Sequence, residues 1–386
     1  MPAYNSNDLY HQLIQQQAVQ AFETGCIGEE SYKKIIVPYP DHMYTPNYFI
    51  RIALGALTII AVLFAAILFG LLFANAGTSQ AVTLCVVMGI ACYATLELLV
   101  KAKKYYNAGV DNVLMVFSIL FIVSAFFVYD LTGSHLLITG TTMIICLYLS
   151  IRFTDAFMAI VSYAAFFVFI FLLCLKLGTI AKVMAPLFML IVSAGIYIFM
   201  KFLEKRDGIQ VYHYCIKAVT FLTLITFYAS ANYFVVRELT NKMFDGNLAG
   251  NNEMMMGWLF WIFTFLIPVI YLFYGIVKKD FLFIRTGIGL TAAAVFTLRY
   301  YHSILSIEIA MLIGGGILIM ISYLLIQYLK VPKHGYTFQN LHPSNKKFLN
   351  AEALIVAQTF GTTSSHENNS LYAGGSGGGG GATSNF

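Results

Sequence analysis

The chain has 386 residues, 59% hydrophobic and only 11% charged, and its mean hydropathy is +0.76; soluble domains carry about a quarter charged residues. The shortage of charge falls between positions 50 and 330, so the apolar excess belongs to membrane spans rather than to one large water-excluded core. The net charge of +5 is scattered over many loops and offers no basic face for nucleic acid.

The N-terminus, MPAYNSNDLYHQLIQQQ, lacks a basic segment followed by an apolar one. The first span is therefore expected to act as its own insertion signal. Residues 1–49 read as a helical hairpin followed by a Pro-containing linker. Ser6, Asn7 and Asp8 offer an N-cap, and Leu9, Leu13, Ile14 and Phe22 form a partial apolar stripe. Gly25 stops that helix, Glu29 and Glu30 open a second, and Pro38, Pro40 and Pro46 stiffen the link onward. The expected role is a solvated cap, with docking of a cytoplasmic protein partner as the alternative.

A helix needs roughly 20 apolar residues to cross the hydrocarbon layer. Ten runs qualify between 50 and 330: 52–74, 81–100, 113–129, 134–151, 156–175, 183–200, 214–236, 254–277, 281–298 and 303–329. The least apolar are 134–151, with Thr139, Thr141 and Thr142, and 281–298, which contains Arg285. Basic residues favour the cytoplasmic side. Ten alternating spans place 17 Lys and Arg on the side of the termini and 5 on the other (Lys176, Lys182, Arg237, Lys242 and Arg299), leaving Lys217 just inside a span. The expected fold is an all-α integral membrane bundle of about ten helices with both termini cytoplasmic.

Residues 331–360 contain NKKFLNAEALIVAQTF, an amphipathic segment suited to the inner leaflet beside Lys346 and Lys347. Residues 361–386, rich in glycine and serine, cannot bury enough apolar surface to fold and read as a disordered tail. The glycine run lacks the Lys of a phosphate-binding loop.

An ionisable group at the bilayer midplane is expensive and marks function by default. Here the charges sit near span ends. Glu97 is four residues before Lys101, Asp111 precedes the third apolar run, and Asp155 opens the fifth beside Arg152, with which it can pair. Lys217 and Arg285 lie about a turn inside and can snorkel. His135, His213 and His302 are on separate elements, the six cysteines form no C-x-x-C, and no nucleophile is paired with a base in the apolar runs. The sequence is read as non-enzymatic, with no catalytic residue, metal or cofactor.

Uncharged polar and helix-breaking residues remain. Pro268 lies mid-span and should kink its helix. Gly314, Gly315 and Gly316 interrupt the tenth run, and Gly287, Gly289 and Ala293 put small residues on the ninth. Close helix packing explains such residues; the sharper expectation is a cavity with hinges, faced by Tyr197, Tyr228, Asn232, Trp261 and Tyr271. In FTLRYYHSILSIE, Arg299 ends the ninth span and Glu308 begins the tenth, so the two are expected to pair across a tight external turn. His302 reads as a polar residue of that turn.

Three stretches carry a resemblance. FETGCIGEESYKKI is similar to the short helical hairpin, G-x-I-x-x-E, that precedes the first span in bacterial polytopic membrane proteins related to the DUF2157 family. The many-span body with short loops is similar too. LNAEALIVAQTF followed by YAGGSGGGGGATSNF resembles endings of envelope proteins of Bacteroidetes-type bacteria. The resemblance implies a bacterial inner-membrane location. The residues themselves favour a lipid-embedded protein that handles a neutral or amphipathic small molecule or lipid; a scaffold recruiting envelope or cytoplasmic protein partners through its termini is the alternative.

Overall fold

A computed structural model describes residues 2–23, 25–40, 42–72, 77–129, 134–177, 179–206, 208–243 and 257–301, and eight further helical positions between 315 and 327. The segments read above as 331–360 and 361–386 lie outside the described residues, as do Gly314, His302 and Glu308.

Twelve helices are described: α1 (Ser6–Glu23), α2 (Glu29–Ile36), α3 (Tyr48–Leu72), α4 (Thr78–Lys103), α5 (Val110–Val128), α6 (His135–Phe153), α7 (Ala156–Lys176), α8 (Thr179–Glu204), α9 (His213–Ala231), α10 (Tyr233–Met243), α11 (Gly257–Lys278) and α12 (Phe281–Tyr301). Among the described residues nine of them are long and apolar enough to cross a membrane. Of the tenth expected run, 303–329, only the eight scattered positions are described, Gly315 and Gly316 among them, and all are helical.

The helices pack as hairpins, α4 with α5, α6 with α7, α8 with α9 and α11 with α12, and α9 touches α7, α11 and α12. Outward faces are apolar. On α3, Phe64, Ile60 and Leu71 are all more than 60% exposed and Gly55 is its one buried residue. Water would not tolerate such a surface on a monomer; hydrocarbon would. The chain is a multi-pass membrane protein.

Two sets of contacts show that the spans alternate in direction. The N-terminal segment touches the 104–106 loop, the end of α6 and the start of α9: Tyr4 Oη donates to the Tyr105 carbonyl (3.0 Å), the Ala3 N–H to the Arg152 carbonyl (2.6 Å) and Tyr214 Oη to Gln16 Oε1 (2.5 Å). Those chain ends therefore share one face. On the other, Tyr233 stacks on Trp261 (4.7 Å) and meets Tyr301 edge-on (5.0 Å), which brings together the end of α9, the start of α11 and the end of α12.

The expected cap docks through its first helix, whereas α2 has no buried residue. Tyr4 and Leu9 belong to the same buried cluster as Leu96, Met115, Leu149 and Phe153. Lys104 Nζ lies 3.1 Å from Asp8, and Tyr44 pairs with Tyr105 as a short parallel bridge that pins the Pro-containing linker. Burial pushes the Tyr4 phenol far above its ordinary range. Asn5, just before α1, caps it one residue earlier than expected, its side chain accepting from the Asn7 N–H (3.1 Å). Gly25 ends the helix in the left-handed region at φ 72°, as a C-terminal glycine should.

One expected span is corrected. The run 214–236 is not a single helix: α9 stops at Ala231, Asn232 is extended (φ −77°, ψ 127°), and the chain turns into the short amphipathic α10. Hydropathy alone does not report a break made by side-chain bonding.

Candidate functional site

Of the residues expected to face a cavity, Tyr228 and Tyr271 belong to one apolar cluster, with Tyr197 packed against it. Tyr228 and Tyr271 are buried with Leu224, Ala231, Ile267, Phe283 and Leu290, and Tyr197 lies edge-on to Phe283 at 5.9 Å. Tyr271 Oη reaches the Leu224 carbonyl. Pro268 is buried within an α11 that continues through it. Asn232 is 2% exposed and joins three elements. Its Nδ2 donates to Tyr228 Oη (2.8 Å) and Thr297 Oγ1 (3.0 Å), while its Oδ1 accepts from the Val235 N–H (3.2 Å), capping α10. Thr264 Oγ1 accepts from the Tyr233 N–H, so the broken backbone is satisfied by two side chains. Trp261 is placed apart from this core, stacked under Tyr233 on the face where α10 lies.

Arg152 and Asp155 are close in sequence but act separately. Arg152 Nη2 pairs with Glu97 on α4, which also meets Lys101 at 3.5 Å. Asp155 Oδ1 accepts from the Met158 N–H (2.7 Å) and caps α7. Arg299 is half-buried near the end of α12; its expected partner Glu308 lies outside the described residues.

Two cavities flank the turn between α6 and α7. The first, about 690 Å3, is a crevice in the bundle wall between α6 and α8, floored by α7 and α9. Leu147, Phe166, Ile196, Phe199, Met200 and Val219 give it a hydrocarbon lining. Each hydroxyl in that lining is already bonded inside the protein. Ser162 donates to the Met143 carbonyl (3.1 Å), Ser150 to the Asp155 carbonyl (3.1 Å) and Tyr212 to the Ile151 carbonyl (3.0 Å), and Tyr163 is 2.6 Å from Thr226 Oγ1.

The second, about 540 Å3, is polar and lies against α1 at the face that carries the N-terminus. Gln16, Arg51, Asn107, Asn112, Asp155 and Tyr214 contribute polar groups to its wall. The loop behind it is tightly built. Lys104 and Asn107 are left-handed (φ 50° and 51°), and Gly109 at φ 91° lies against α3, where a Cβ would meet the Arg51 carbonyl at 2.2 Å. Burial holds the Asp155 carboxyl above its usual range against the Met158 N–H bond, with neighbouring Asp111 adding to the rise. Burial likewise pushes Tyr106, in the same wall, up to about 12.

Neither cavity was foreseeable from spacing along the chain, since the crevice depends on how four successive helices pack and the polar cavity joins segments distant in sequence. Among the described residues no group of three or more His, Cys, Asp or Glu could hold a metal ion. What the fold defines is a helical multi-pass membrane protein that has, among the described residues, an apolar crevice and a polar cavity. No family, curated protein or solved structure matches the chain.

Proposed function

We propose that the protein binds the hydrocarbon chain of an amphipathic molecule or lipid in the crevice between α6 and α8, without an enzymatic step. One observation carries this reading: the hydroxyls of Ser150, Ser162, Tyr163 and Tyr212 are all bonded internally, so none of them has a donor left for a hydrophilic solute. A volume of about 690 Å3 falls within the ~300–1,000 Å3 of ordinary ligand sites. Lipid tails are as apolar as leucine, so selectivity must come from shape. The crevice supplies shape through aromatic and β-branched walls. The distribution of basic residues supports cytoplasmic termini, and the N-terminal hairpin and tail support a bacterial inner membrane as the location. Docking of α1 through Leu9 into the core of the membrane domain weighs against the scaffold alternative.

The test uses a photoreactive palmitoyl phospholipid reconstituted with the full-length protein. Crosslinks should concentrate on α6–α9 lining residues and fall sharply in Val219→Trp, which fills the crevice. Labelling there no stronger than on the exposed face of α3 around Phe64 would refute specific binding.

A further inference from the structure

The polar cavity has unmet bonding capacity of both signs. Arg51 Nη2 donates to Asn107 Oδ1 at 3.2 Å, yet among the described residues no carboxylate lies within ion-pair distance of it. The side-chain oxygen of Asn112 is buried with no donor, and so is Oδ1 of Asp111 just behind the wall. Asp155 has one oxygen committed to the Met158 N–H and lines the same space. A buried acceptor left without a donor costs about 1–3 kcal/mol. Native proteins rarely leave several together without water or a ligand to meet them.

We propose that this cavity is a binding site for a compact zwitterion, with an anionic group against the Arg51 guanidinium and a primary ammonium against Asp155 and Asn112. A ligand with one charge satisfies only half of the wall. An anion alone would cancel the Arg51 charge that favours the Asp155 carboxylate, and a cation alone would face Arg51. Thr154, Gln16 and Tyr214 supply further polar edges, and α1 contributes to the wall, so access is set by the docked N-terminal helix. Aminoalkyl phosphates and amino acids have this chemistry, and so does the ethanolamine headgroup of a phospholipid. The site is separate from the apolar crevice, and its occupancy does not depend on what the crevice holds.

The experiment takes the full-length protein in dodecyl maltoside and titrates O-phosphoethanolamine and β-alanine by calorimetry. Ethanolamine and methyl phosphate serve as half-ligands. At least one zwitterion should bind, and each half-ligand should bind roughly tenfold or more weakly, the value of one charge-assisted hydrogen bond. Arg51→Gln and Asp155→Asn should each weaken the zwitterion by a similar factor. Asparagine retains the α7 cap, so the second variant separates lost binding from lost folding. In a parallel arm, nanodiscs of phosphatidylethanolamine and of phosphatidylglycerol are compared by thermal stability. Selective stabilisation by the ethanolamine lipid, abolished in Arg51→Gln, assigns the headgroup as the source; binding of the free zwitterion alone assigns a soluble ligand. Absence of both effects, or effects unchanged in the two variants, overturns the proposal. Val219→Trp should leave these titrations unaltered.

Discussion

Replacing Asn232 with alanine removes the side chain that makes the corner between α9 and α10 possible. Three interactions disappear: the cap on the Val235 N–H and the bonds to Tyr228 Oη and Thr297 Oγ1. Losing an N-cap costs about 0.5–2 kcal/mol, and interhelical hydrogen bonds in membrane proteins average about 0.6 kcal/mol. Thr297 Oγ1 keeps its own acceptor, the Ala293 carbonyl at 2.9 Å, so its share of the penalty is small. Together these give roughly 2 kcal/mol for Asn232→Ala. The assay is reversible unfolding of the full chain in mixed micelles titrated with SDS. Thr297→Val alone should cost about 0.6 kcal/mol, and the double-mutant cycle should show coupling of similar size. A loss below about 0.5 kcal/mol for Asn232→Ala, the range of an ordinary surface change, would refute the view that this side chain organises the corner.

Glu97→Gln removes the charge that pairs with Arg152, whose side chain is 24% exposed, and should cost about 1–2 kcal/mol, between the values for exposed and buried pairs. Lys101→Ala, acting on a 63% exposed lysine, should cost less than about 1 kcal/mol in the same unfolding assay. At Asp155 the folded pKa lies above the unfolded one, so folding favours the protonated carboxyl and stability declines as pH rises from the unfolded value through the folded one. Asp155→Asn should therefore gain on the wild type as pH rises above the ordinary carboxylate range, whereas Asp155→Ala should lose about 1 kcal/mol of cap throughout; a pH-independent gap between wild type and Asp155→Asn would contradict the burial argument. Gly109→Ala should fail to fold or lose at least ~2 kcal/mol, because φ is 91° and the new Cβ meets the Arg51 carbonyl at 2.2 Å. Gly55→Ala, with its nearest neighbour at 3.7 Å, should be nearly neutral by thermal stability.

The spans were legible because an apolar run of the right length has few alternatives in lipid. Even 134–151 succeeds as a helix despite its threonines. Thr139, Thr141 and Thr142 each donate back to a carbonyl four residues earlier (2.8, 2.9 and 2.7 Å), which hides the hydroxyl from hydrocarbon. Helix ends were read short at several places: α4 runs Thr78–Lys103 where hydropathy suggested 81–100. Polar residues prolong a helix past the membrane without leaving an apolar trace. Partnerships were the least legible. Asp155 is three positions from Arg152, but the chain leaves the helix at Thr154, in the left-handed region at φ 52°, and the guanidinium meets Glu97 on another hairpin. Asn232 drew notice as a polar residue among apolar ones, yet its part in ending α9 depends on Thr297, 65 residues away.

The turn 150–157 divides two environments by the way its polar groups are spent. Toward the crevice, Ser150 donates to the Asp155 carbonyl and the Ile151 carbonyl accepts from Tyr212, so the surface presented there is closed to hydrogen bonding. Toward the cavity beside α1, Asp155 and Asn112 retain acceptor capacity and Arg51 retains donors. In a low-dielectric surround an open polar group is costly, and in a wet one it is not. The same turn can thus hold hydrocarbon on one side and charged groups or water on the other only while these internal bonds persist. Breaking the Tyr212–Ile151 bond with Tyr212→Phe would expose a carbonyl to the crevice. That change should weaken capture of the palmitoyl probe while leaving zwitterion titration at Arg51 intact. Loss of both together would mean that the two cavities communicate and the division proposed for the turn is wrong.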